Sequence, residues 1–252
     1  MKKTLIYAGA SGMILLFAGL VAASLSLNSL VKKGIETYGP LLTKTDVRVS
    51  VVSLLPLQGS GSLRGFEIGN PPGCKERDAI SVGRMHLALE PKSLLSSVLV
   101  IKQIEVIDPD ISFEGTPSAN NLTQLQKNVQ SFVPPSKPVA GAPVPPGPAK
   151  KIIIDDFLLS GAKVKVAVKF LGQEKGLALT LPDIHLTGLG RKTNGMDPKD
   201  AVGEVMSSLT HAITQAVTAQ INDLTQGTIS NLTKGLPSNL GNALGGLFGK
   251  KK

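Results

Sequence analysis

"LLPLQGSGSLRGFEIGNPPG", residues 54–73, decides the fold. Val47, Val49, Val51 and Val52 lead into Gly59, Gly61 and Gly65, much as a dinucleotide-binding strand leads into its glycine fingerprint. That fingerprint needs a helix after the glycines, so that a pyrophosphate rests on the positive helix end. Here Arg64 holds the sixth position of G-x-G-x-x-G and the glycine comes one place late. The following "FEIGNPPG" contains two glycines and two consecutive prolines, through which no helix runs. The glycine run therefore joins strand to strand as turn chemistry, and nucleotide binding is rejected on context.

The surrounding composition is aliphatic. The 252 residues include no tryptophan, aromatics make up 4%, and the formal charge is +9. Such a charge favours anionic partners without naming their kind. From Thr4 to Leu27 no residue is charged, which is long enough to span a bilayer as a helix. The rival reading is a cleaved signal peptide, with Ala22–Ser24 as its small-residue site. Leu27, Leu30, Val31, Ile35, Tyr38 and Leu42 carry a helical spacing onward, which favours a retained anchor. Lys2 and Lys3 on one side nearly balance Lys32 and Lys33 on the other, so charge alone leaves the orientation open. Cys74 stands alone and reads as a spectator thiol.

Beyond the apolar segment the pattern alternates. Residues 46–56, 61–70, 80–91, 98–109 and 110–115 are short β-branched runs between turn residues, predicting an antiparallel sheet with tight connections. Leu122, Leu125, Val129 and Phe132 predict a short helix capped by Asn120 or Asn121. Residues 133–150 hold seven of the seventeen prolines and read as an extended linker. Strands resume over 151–161, 162–170 and 176–190. In the cleanest of them Val164, Val166, Val168 and Phe170 face one way and Lys163, Lys165 and Lys169 the other. Asp197 and Pro198 then open an amphipathic helix over 198–225, with Val202, Val205, Met206, Leu209, Ile213, Val217 and Leu224 as its stripe. In the tail, Leu240, Leu244, Leu247 and Phe248 precede three lysines and form a candidate membrane-contact stripe. Five glycines there weaken any helix and favour a soluble tail.

Catalytic signals are sparse. His86, His185 and His211 show no metal-ligand spacing, and no nucleophile motif appears. The pairs Asp155–Asp156 and Asp108/Asp110 read as turn and capping groups near strand ends. The lysines do not interleave with aromatics, so nucleic acid is not an expected partner. No cofactor and no metal are expected.

Several stretches in order resemble the AsmA-like family of envelope proteins. They are "SLNSLVKKGIETYGPLLTKTDVRVSVVSLLPLQGSGSLRGFEIGNPPG", "LEPKSLLSSVLVIKQIEVIDPDISFE", "KIIIDDFLLSGAKVKV" and "LTLPDIHLTGLG", spread over residues 24–190. The resemblance implies an inner-membrane anchor with the bulk of the chain in the periplasm. It also implies a chorein-like sheet curved into a groove, linked to lipid supply and outer-membrane integrity.

The combined expectation is an α+β, single-pass, non-enzymatic protein with a twisted, mostly antiparallel sheet. Residues 1–42 form the anchor and its helical extension, 43–132 the first β-rich segment with a short helix, and 133–150 the linker. Residues 151–190 add a second β segment to the same sheet, and 191–252 supply the C-terminal amphipathic helix and tail. Val164, Val166, Val168 and Phe170 are the candidate lining of a lipid groove, with phospholipid or another lipid as ligand and the membrane as partner. A sheet of nine or ten strands would be about 45 Å wide at strand spacing, a module rather than a bridge across the periplasm. The alternative is a structural adaptor whose closed sheet recruits another envelope protein through its edges or C-terminal helix.

Overall fold

The computed structural model describes residues 27–133, 150–170 and 173–234. A helix over 27–43 (α1) leads into β1 (Val47–Leu55), β2 (Ser60–Gly69), β3 (Asp78–Leu89), β4 (Val98–Ile107) and β5 (Asp110–Thr116). The two-residue β6 (Ala119–Asn120) and α2 (Asn121–Gln130) follow. Next come β7 (Lys151–Ser160), β8 (Lys163–Phe170), β9 (Gln173–Thr180) and β10 (Ile184–Leu189), and finally α3 (Pro198–Lys234). The architecture is α+β: one curled, mostly antiparallel half-barrel sheet with three helices.

The strand pairing holds a single register across several of the turns. β4 and β5 follow one another along the same edge of β3, where Ile107 faces Arg84 and Asp110 faces Ser81. β7 and β8 do the same along β4 and β5, from Lys151 opposite Val98 to Ala167 opposite Glu114. β9 and β10 repeat it along β8 and β7. Strands that lie end to end in this way form six ribbons, so the sheet spans about 24 Å, five intervals of strand spacing, rather than 45 Å.

Both β segments belong to this one sheet, and the two strand pairings that join them, β4 with β7 and β5 with β8, are parallel. Tight antiparallel connections alone do not account for that. The chain must return to the starting end of β4 before β7 begins, and α2 lies within that crossover. Residues 134–149 of that stretch, the expected linker, lie outside the described residues, as do residues 1–26 and the tail after Lys234.

The curl has a local cause. In each ribbon the inward-facing residues slip by one position at the same transverse line. Val47 and Val49 give way to Val52 and Leu54, and Ile80 and Val82 to Met85 and Leu87. Val106 gives way to Ile111 and Phe113, and Phe157 and Leu159 to Ala162, Val164 and Val166. A one-residue slip bends a strand and increases its twist, as a bulge does, and slips aligned across neighbouring ribbons crease the sheet. Residues on the line adopt left-handed backbone: Gly65 (φ 59), Asp108 (φ 49) and Gly161 (φ 67). At Gly161 an added Cβ would sit 2.2 Å from Asp108 Oδ1, while Asp108 N donates to Ser160 O at 2.9 Å across the crease.

The helices begin where their sequence says. Asn120 caps α2, its side chain accepting from Thr123 N while Thr123 Oγ1 accepts from Asn120 N, a reciprocal capping box. Pro198 takes the first position of α3, which runs to Lys234, nine residues beyond the expected end. Val202 is 40% exposed and lies off the buried stripe, whereas Met206, Leu209, Ile213 and Val217 form it.

Candidate functional site

The concave face of the sheet is one apolar surface with two unequal halves. On the half beyond the crease, Ile111, Phe113, Val164 and Val166 are at most 2% exposed. They join one cluster with Leu122 and Leu125 of α2 and Met206, Leu209, Ile213 and Val217 of α3. Two helices thus close this half, and each fully buried aliphatic contributes about 1.5–3 kcal/mol. Val164 and Val166, expected to line a groove, are interior here. The side chains of Val168, Phe170 and Leu224 lie outside the described residues, as do Leu240, Leu244, Leu247 and Phe248.

On the near half Val106, Ile154, Phe157 and Leu159 stay buried in the same cluster, and the face is less covered only toward β2, β3 and the start of β4. Leu63 on β2, Met85, Leu87 and Leu89 on β3, and Ile101 and Ile104 on β4 are all half-buried. Register makes them a strip: Leu63 pairs with Met85, Leu87 with Ile104, and Leu89 with Ile101. α1 shields one margin, where Leu27, Val31 and Ile35 rest on Val49, Val52 and Leu54, with Leu63 and Leu87 at the boundary. The strip thus runs between the cover given by α1 and that given by α3, with no charged side chain among these six residues.

Polar groups hold the frame at the sheet margins. Asn121 Nδ2 donates to Ser112 O at 2.8 Å and to Asn70 Oδ1 at 2.7 Å, and its Oδ1 accepts from Glu114 N at 3.0 Å. Asn128 Nδ2 donates to Thr43 O at 2.6 Å, tying α2 to the end of α1. On β1, Arg48 reaches Glu67 at 3.0 Å and Asp78 at 2.8 Å. The hydrogen bond to Glu67 raises the Arg48 pKa above its ordinary value; desolvation opposes it, and the charges of Asp78, Glu67 and Asp46 add to the rise. Partial burial, then the charge of Glu114, pushes the Cys74 thiol up, which suits a spectator rather than a nucleophile.

The carboxylate pair at Asp155 and Asp156 lies within β7 rather than at a turn. Strand β7 carries a second slip there, since Ile152 and Ile154 face inward before it and Phe157 and Leu159 after it. Two consecutive residues are thereby left off the concave face. Arg191 donates to Asp155 through Nε and Nη2 at 2.7 Å each, and His185 Nε2 contacts Asp156 Oδ1 on the adjacent strand. His211 pairs with Gln215 along α3, and His86 is exposed on β3, so the three histidines do not converge. Among the described residues no group of three His, Cys, Asp or Glu side chains is placed to hold a metal ion.

The strip on β2–β4 escaped sequence reasoning because polar pairs interrupt its alternation: Arg64–Gly65, Gly83–Arg84 and Lys102–Gln103. Those interruptions were the available signal, because two consecutive outward residues inside a strand mark a slip in the pleat. No helix among the described residues is long and apolar enough to cross a membrane, and residues 4–26 lie outside them.

Comparison with curated proteins returned no match. Comparison with family profiles returned the AsmA family over residues 2–193 of the 252, from the N-terminal apolar segment through the last strand and ending just before α3. With most of its length matched, the chain belongs to the AsmA family.

Proposed function

We propose that this protein is held in the bacterial inner membrane by residues 4–27, with its sheet in the periplasm, and that the half-covered strip receives lipid acyl chains. The observation that carries the reading is the row Leu63, Met85, Leu87, Ile101 and Ile104, an uncharged apolar stripe between two helical covers. The mechanism is passive. Each methylene removed from water contributes about 0.8 kcal/mol, while the lipid headgroup stays in solvent beyond the rim. At about 24 Å of sheet, one copy is a holder of acyl chains and not a conduit between membranes. The reading is non-enzymatic, in keeping with a family associated with the envelope.

Photocrosslinking tests this directly. A benzoylphenylalanine at Leu87 or Ile104 of the full chain in cells is expected to capture phospholipid, and one at Gln103, exposed beside them, is not. Equal capture at all three positions, or none, removes the lipid reading.

The second reading is the closed adaptor, favoured by the burial of Val164 and Val166 against α3. It expects Leu87 and Ile104 to capture a protein in place of lipid.

A further inference from the structure

One end of the sheet carries two features that the lipid strip does not explain. Leu57 is 83% exposed and Leu95 97% exposed, more than any other large apolar residue described. Each sits on a short 3-10 turn, Pro56–Gln58 and Pro91–Leu95, and the two turns lie side by side. Single exposed leucines are ordinary, but these two share one edge and stand on rigid supports. Proline opens both turns, fixing the backbone φ at entry. Gly59 (φ 65) closes the first, where a Cβ would lie 2.4 Å from Leu89 O and 3.0 Å from the Pro91 ring. In the second, Ser93 Oγ donates to Glu90 O at 2.6 Å and accepts from Val100 N at 2.9 Å. Such turns hold their leucines outward.

The same edge is basic. Lys92 lies in the second turn, and Lys150 donates to Leu94 O beside Leu95. Lys151 begins β7, its backbone N donating to Ser97 O at 3.2 Å, and Lys192 lies in the turn after β10. All four are exposed, and among the described residues none forms an ion pair. The nearby acids are already partnered: Glu90 with Lys102 at 2.6 Å and Asp155 with Arg191 at 2.7 Å.

The start of α1 also lies here. Leu27, the first described residue, packs with Val52 and Leu54, and Asn28 Oδ1 accepts from Leu54 N at 2.9 Å. Leu55, Pro56 and Leu57 follow directly. The first described helix therefore begins at the edge that presents Leu57 and Leu95.

We infer that this edge docks on the surface of an anionic bilayer, with Leu57 and Leu95 inserted among the lipids and Lys92, Lys150, Lys151 and Lys192 over the headgroups. Aliphatic tips ringed by lysine match an interface that is apolar inside and negatively charged outside. The inference rests on the reading of residues 4–27 as a membrane segment, because that segment brings the bilayer to this edge. Docking there would set the starting end of the half-covered strip against the lipid surface.

The test uses the full chain in vesicles of phosphatidylethanolamine and phosphatidylglycerol containing nitroxide-labelled phospholipid. Cys74→Ser removes the native thiol, and Leu57→Cys, Leu95→Cys or Ser118→Cys each carries an environment-sensitive fluorophore. Ser118 is exposed in the turn after β5, at the far end of the long ribbon. Unchanged melting relative to Cys74→Ser shows that each labelled chain is folded. The expected result is blue-shifted, quenched emission at 57 and 95 and water-like emission at 118. Water-like emission at all three positions, in chains that resist carbonate extraction, overturns the docking and leaves the anchor standing. Chains that carbonate releases count against the anchor, and their emission before release still decides the docking by the same criterion.

Discussion

The two halves of the concave face are built from the same residue types and end in different states. Beyond the crease Phe113, Val164 and Val166 are at most 2% exposed, whereas Leu63, Met85, Leu87, Ile101 and Ile104 are half-buried. Hydrophobicity does not separate them, since both are apolar stripes on one continuous sheet. Helical cover does. α2 and α3 lie over the first half, whereas over the second α1 reaches one margin and α3 the other, leaving the strip between them. Apolar alternation thus records that a face avoids water, and the helices decide whether protein or something else shields it.

If the closed half carries the fold, cutting into it should cost most. Phe113→Ala is expected to lose about 3–5 kcal/mol of stability, read as a shift in denaturant midpoint at unchanged slope. Leu87→Ala should lose clearly less, because its side chain is already partly solvated. Equal losses would erase the distinction between the halves.

The crease that separates the halves makes a smaller, sharper prediction. Gly161→Ala forces a Cβ into left-handed backbone, at a cost of about 1–2 kcal/mol, and pushes Asp108 away. Gly176→Ala, on β9 with open space around it, should change stability far less in the same melt. On the helical cover, Asn120→Ala removes the α2 cap and is expected to cost about 1 kcal/mol, and Asn120→Asp keeps the cap acceptor but loses the donation from Nδ2 to Thr116 O.

The smallest expected effect is at the rim of the open half. The hydrogen bond from Lys102 holds the Glu90 carboxyl below its ordinary range. A depressed carboxyl contributes stability above its unfolded pKa and loses it as pH falls through the folded one. Lys102→Met should therefore lower the melting temperature slightly at pH 7, and the gap should close on acidification below about pH 4. High salt should shrink it too, because the pair is exposed.

Much of this fold was legible in the sequence, for identifiable reasons. β-branched runs bounded by glycine and proline located β1 to β5, β7 and β8 to within a few residues, because those punctuators act locally. Asn120 and Pro198 announced their helices in the same way. Less legible was anything settled at long range. Nothing near Ile101 or Ile154 says that they become parallel neighbours, and nothing in "KVKVAVK" says that Ile213 and Val217 share its cluster. A sheet core and a lipid groove demand the same alternation, so the valines of β8 stood out while the interrupted strip on β3 and β4 did not. Asp155–Asp156, read as a turn, belongs to a slip inside a strand.

The central claim, that the half-covered strip meets acyl chains and the closed half does not, can be tested with one reporter. The chain contains no tryptophan, so a single introduced indole is unambiguous. Leu87→Trp and Phe113→Trp would each be measured in the full chain, in vesicles whose phospholipids carry brominated acyl chains. The account predicts strong quenching at position 87 and little at 113. Unquenched emission at 87, or equal quenching at both positions, would contradict it.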